Sequence, residues 1–156
     1  MDNQHGLLSV DMLRTLLFLS LMAILSTSLF SLLSNKKDAN DIERHIDDIT
    51  TLAQEHYNKG VMTTQCLAQP SIDISQLKID DHNYLGLYEV SYNSVSPARP
   101  HSVTVRFTFT FPDKARAISR YLQPSNHDDI SFYYQRPLEY QLVDFQHLDR
   151  ATGCLQ

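Results

Sequence analysis

From Thr15 to Leu33 the chain reads "TLLFLSLMAILSTSLFSLL", without a charged residue, a proline or a glycine. No other stretch constrains the fold as tightly. At 1.5 Å rise per residue a helix over it is about 28 Å long, close to the roughly 30 Å hydrocarbon core of a bilayer. The run predicts a transmembrane helix over residues 7–34. A secretory signal would want a basic start, a shorter apolar core and an A-x-A-like cleavage site. Here the opening "MDNQHG" holds no Lys or Arg, and "ILSTSLFS" offers a poor small-residue site. A retained anchor is therefore expected over a cleaved signal or a buried soluble helix.

The helical pattern does not stop where the apolar run does. In "DANDIERHIDDITTLAQEHYNKG", Ile42, Ile46, Ile49, Leu52 or Ala53, and Tyr57 recur at helical spacing, with Glu43, Arg44, Asp47, Asp48 and Glu55 on the other face. This predicts an amphipathic helix over residues 35–59, stopped by Asn58 and Gly60. No proline interrupts residues 7–59, so anchor and amphipathic segment read as one helix. A single apolar stripe needs a surface to lie on.

Residues 60–156 are expected to supply it as an antiparallel-sheet domain. "HSVTVRFTFTF" alternates with period two, setting Val103, Val105, Phe107, Phe109 and Phe111 on one face and Thr104, Arg106, Thr108 and Thr110 on the other. "YLGLYEVSYNS" and "ISFYYQRPLEYQLVDF" are rich in aromatic and β-branched residues, the second broken into two strands around Arg136-Pro137. "IDISQLKI", residues 72–79, reads as a short edge strand, and "DKARAISRYLQP" as a short helix opening at Pro112-Asp113 and ending by Pro124. The expected fold is α+β: a long N-terminal helix, half transmembrane and half amphipathic, packed on a small antiparallel sheet with one short extra helix.

At 156 residues an anchor leaves room for one small domain. A net charge of -5 argues against a nucleic-acid partner, which would need a concentrated basic face. Cys66 and Cys154 are the only cysteines, and an even pair bracketing a domain suits a disulfide in an oxidising compartment; two unrelated thiols are the alternative. Arg14 before the span against Lys36, Lys37 and Arg44 after it points the charge rule the other way. The cysteines favour a single-pass inner-membrane protein with its C-terminal domain in the periplasm. His45-x-x-Asp48, "DDH" at 80–82 and "HDD" at 127–129 lack the ligand spacing of a metal site and read as solvated faces and turns. There is no G-x-S-x-G, no phosphate-binding glycine loop and no C-x-x-C, so no enzyme, cofactor, metal or small-molecule substrate is inferred. The tyrosines of "SFYYQ" and "LEYQ" suit sheet packing before a contact surface.

At the mouth of the span stand Asp11 and Arg14. A carboxylate in hydrocarbon costs about 2.5 to 3.5 kcal/mol at a helix centre on insertion scales, so it needs a partner. Three residues apart, the two face one another and can pair at head-group level. The order Gly6, then Leu7-Leu8-Ser9-Val10, then an acid in the fifth place, then an unbroken apolar stretch resembles the N-terminus of type IV pilins and of the pseudopilins of type II secretion. In that family a dedicated peptidase cuts after the glycine and N-methylates the new first residue, and the acid registers a subunit against its neighbour's N-terminal amine. The resemblance implies a leader over residues 1–6, a cut between Gly6 and Leu7, and a registry role for Asp11, and Arg14 is counted with it as a candidate registry residue. The family usually has a basic leader, Phe or Met after the cut, Thr next, and Glu as the acid. This chain has Leu7, Leu8 and Asp11 in those places and adds Arg14, a drift that suits a minor subunit. The implied function is pilus assembly, priming or adhesion, among other pilin-like subunits or an inner-membrane assembly complex, with the helices packed in a fibre core and the sheet domain outward. An uncleaved single-span accessory protein, whose periplasmic domain binds a secretion, envelope or signalling partner, is the alternative.

Overall fold

A computed structural model of the chain describes residues 4–95, 99–139, 149 and 153–154. Helix α1 spans Gln4–Thr64. A 3-10 helix at Ile74–Leu77 follows, then strands β1 (His82–Asn83), β2 (Gly86–Val95) and β3 (Arg99–Phe109), helix α2 (Pro112–Ser119), and strands β4 (Asn126–His127) and β5 (Ser131–Pro137). The chain divides into two units, residues 1–38 and 39–156. The layout is α+β, a long N-terminal helix with a small antiparallel sheet and one short helix.

The described strands form one antiparallel sheet in the order β1-β2-β3-β5-β4. The long central pair runs from Gly86 opposite Phe109 to Val95 opposite Arg99, with an irregularity at Asn93/Ser94. Gly86 is required by contact, since a Cβ there would lie 2.1 Å from the Thr108 carbonyl oxygen. Alternation sorts the two sheet faces as the sequence predicts. Tyr88, Val90, Val103, Val105, Phe107, Phe109, Phe132 and Tyr134 are buried on the inner face. The outer face is laced by polar pairs, among them Arg106 with Glu89, Asn93 Nδ2 donating to Thr104 Oγ1 at 2.6 Å, and Gln135 Nε2 donating to Ser102 Oγ at 2.8 Å.

The inner face meets the stripe of α1. Ala39, Ile42, Ile46, Ile49, Ala53, Tyr57 and Val61 are buried at helical spacing and join the sheet in one core. Tyr57 and Tyr92 meet edge to face at 5.7 Å between ring centres, and Phe109 meets Phe132 likewise at 5.4 Å. The Tyr92 hydroxyl donates to the Ala53 carbonyl at 2.9 Å, so the aromatic contact is also a polar tether to the helix.

Three expectations are corrected. Gly60 does not end α1, which continues to Thr64. A glycine inside a helix costs about 1 kcal/mol, whereas burying a valine returns about 1.5 to 3 kcal/mol, and Val61 is 3% exposed. The stop is instead Gln65, in the left-handed region at φ 55°, whose N–H donates to the Val61 carbonyl at 2.8 Å. Residues 72–79 form no edge strand: the Asp73 carboxylate accepts from the Ser75 N–H at 2.9 Å and Gln76 Oε1 accepts from the Asp73 N–H at 3.1 Å, a capping box that winds a 3-10 turn. Phe111 is 56% exposed, not on the buried face, because Pro112 opens α2 and makes Phe111 its cap. β5, by contrast, ends at Pro137, at the break expected around Arg136-Pro137. Of the second strand expected after it, Leu138 and Glu139 are outside any strand and the remainder lies outside the described residues.

Candidate functional site

The first candidate is the apolar part of α1. Val10, Met12, Leu13, Leu16, Leu17 and every large apolar side chain on to Leu33 are exposed, with Phe30 at 76%. Residues Val10–Thr64 include a helix long and apolar enough to cross a membrane. The run contains hydroxyls, which would be costly in hydrocarbon if left unbonded. All six turn back onto their own helix: Thr15 onto Asp11, Ser20 onto Leu17, Ser26 onto Ala23, Thr27 and Ser28 onto Ile24, and Ser31 onto Ser28, at 2.8–3.0 Å. The segment therefore presents a surface without unmet donors from Thr15 to Leu33, as a bilayer requires.

Gly6 and Leu7 lie in the first turn and a half of α1, where the leading backbone N–H groups have no intrahelical acceptor. Asp11 and Arg14 are exposed, one turn apart, and no ion pair joins them among the described residues. Thr15 bonds the Asp11 backbone and leaves its carboxylate untouched. Lys36 and Lys37 follow the run and are exposed, the kind of cationic fringe that sits at a head-group boundary.

The second candidate is the cysteine pair. Cys66 and Cys154 are joined by a disulfide across an isolated antiparallel bridge. Leu67 N–H donates to the Gly153 carbonyl at 2.6 Å, and the buried Tyr57 hydroxyl donates to the Leu67 carbonyl at 2.9 Å. Helix end, following loop and C-terminal segment are thus tied together by one covalent and two hydrogen bonds.

Of the histidine and acid pairs, His45 joins the packing of the domain while His82 with Asp81 and His127 are exposed. His45 is half-buried, its ring 4.6 Å from that of Tyr88, and Nε2 bonds the Asp80 carbonyl at 2.9 Å. His82 Nδ1 lies 2.7 Å from Asp81 Oδ1, and that carboxylate raises the imidazole above its ordinary value. His127 stacks on Phe132 in a cleft of about 310 Å³ that Arg116, Ser119 and Asp128 also line. Among the described residues no three His, Cys, Asp or Glu side chains gather to hold a metal ion. Tyr133 donates to Asp128 Oδ2 at 3.0 Å, while Tyr134 is in the core, where burial pushes its phenol above the ordinary range. Tyr140 lies outside the described residues.

Sequence reasoning missed how the flanks of the stripe are used. Glu43 accepts from the Gln123 N–H at 3.0 Å, Asp47 faces Arg136 at 3.8 Å, and Gln54 bonds both backbone groups of Glu139. These partners lie 80 to 89 positions away along the chain, beyond the reach of any local pattern. It also missed the exposed Met62 and Tyr84, at 75% and 73%. Comparison of the chain with protein-family models, with curated proteins and with solved structures found no match.

Proposed function

We propose that this chain is a minor type IV pilin-like subunit, held in a bacterial inner membrane with its C-terminal domain in the periplasm, and acting in pilus assembly, priming or adhesion. The build of α1 carries the reading: one helix over Gln4–Thr64, apolar and exposed through Leu33, then striped and buried from Ala39 to Val61. Such a surface suits a subunit that waits in lipid and is later reburied among neighbouring helices, because internally bonded hydroxyls are satisfied in either setting. Asp11 then needs a cationic partner on a neighbour. The Cys66–Cys154 disulfide supports the periplasmic side, where such bonds persist. Its partners are other pilin-like subunits or an inner-membrane assembly complex, and its work is assembly, without cofactor or substrate.

Coexpression with a prepilin peptidase tests the reading. The product should lose its first six residues and begin at Leu7. An N-terminus still at Met1 or Asp2 overturns it and leaves an uncleaved single-span accessory protein. Asp11→Ala should block incorporation while the disulfide still forms; under the accessory reading it leaves partner binding intact. An engineered cysteine in the sheet domain should be labelled without breaching the inner membrane.

A further inference from the structure

Between Val10 and Asn35 only Asp11 and Arg14 are charged. Both are exposed, and among the described residues neither side chain has a partner. An offset of three residues sets them about 60° apart around the helix and about 4.5 Å apart along it, on one face. We infer that they form a reciprocal pair between two copies of this chain, Asp11 of each copy with Arg14 of the other. Copies inserted by one route run parallel, so the acid of one lies within about 4.5 Å in depth of the base of the next. Helices packed at 8–10 Å leave that gap within reach of an arginine side chain. Charge complementarity names the occupant, since the complement of one acid and one base three residues apart is the same pair again. A guanidinium offers five donors and a carboxylate about four acceptor sites. A cluster of two acids and two bases fills more of them than a pair within one helix, and its net charge is zero. The inference rests on the membrane-subunit reading above only in taking residues 15–33 as inserted.

The test uses the full-length chain carrying a donor or an acceptor fluorophore at its C-terminus, in phospholipid vesicles at fixed protein-to-lipid ratio, with energy transfer reporting association. Asp11→Ala alone and Arg14→Ala alone should each weaken association roughly three- to twenty-fold, the range of polar contacts between membrane helices. Mixing the two variants restores one interchain pair, though neither chain then holds a pair of its own. Transfer should recover to within about threefold of wild type. If both variants weaken association and the mixture does not recover, the pair lies within one chain and the inference is wrong. Wild-type association by Arg14→Ala overturns it too, since Asp11 then has a different partner, and so does a wild-type chain that stays monomeric. Formation of the Cys66–Cys154 disulfide checks that each variant folds. Sequencing the N-terminus of the same material decides the pilin reading separately.

Discussion

From Val10 to Leu33 the side chains of α1 are apolar on nearly every face and exposed, Leu25 at 51%; from Ala39 to Val61 the same helix shows one apolar stripe, with Ile46 at 1%. Backbone geometry does not separate the two lengths. What separates them is whether a polar face exists to fix which side meets water. A helix without one is suited to a solvent that is apolar on all sides, and a helix with one is suited to a single packed neighbour. The flanks sharpen this. In the second length Glu43, His45, Asp47 and Gln54 take named partners in the sheet domain, whereas in the first the hydroxyls turn back on the helix itself.

The same substitution placed in each length is the most direct way to break that comparison. Ile46→Asp puts an unpaired carboxylate into the core and should cost the sheet domain about 4 kcal/mol or more, read by denaturant unfolding of the detergent-solubilised chain. A smaller loss, near 1 kcal/mol, would mean that the stripe is not what holds helix and sheet together. Next in size is Cys66→Ala with Cys154→Ala. Opening a loop of sequence separation 88 should lower domain stability by about 4 to 5 kcal/mol in chain-entropy terms and leave membrane partitioning unchanged. Leu25→Asp should leave domain unfolding within about 0.5 kcal/mol of the parent while weakening insertion by about 2.5 to 3.5 kcal/mol. Altered domain unfolding in that variant would contradict the separation of the two lengths.

The smallest effect is set by pH and confined to the sheet domain. The Ser75 hydroxyl and N–H hold the Asp73 carboxyl below its ordinary value of 3.8. A lowered folded value means that the cap contributes fully above about pH 4 and is lost as pH falls through that lowered value. Protection of the Ser75 amide, its exchange relative to the unstructured rate at the same pH, should fall as pH is lowered across that window, and Asp73→Asn should remove the dependence. A wild-type profile as flat as that of the variant would show that the cap is not made by the carboxylate.

Legibility follows the range of the forces. The apolar run, the isoleucine stripe and the alternation of Val103 to Phe109 are each written over a few consecutive residues, and each has its expected form in the structure. The disulfide was legible by count, two cysteines and one bond. Where two local rules compete, reading fails: Gly60 looks like a stop until Val61 is seen to be buried, and Ile72 with Ile74 mimics a strand until Asp73 and Gln76 close a cap. Phe111 continues the alternation in letters only, since the strand ends at Phe109 ahead of Pro112. The roles of His45 and Gln54 depend on Asp80 and Glu139, which no window of sequence joins to them. Asp11 lies beyond all of these, because its partner on the present reading belongs to another molecule.

The bond between Cys66 and Cys154 also decides how the molecule would bear load. Everything from Cys66 to Cys154, sheet included, is a closed covalent ring, and α1 joins it at a position just before the ring begins. Tension applied between α1 and the segment after Cys154 would run through the disulfide and bypass the ring. Strands β1 to β5 would carry none of it directly, so such a pull reaches the sheet only by drawing the stripe of α1 off its inner face.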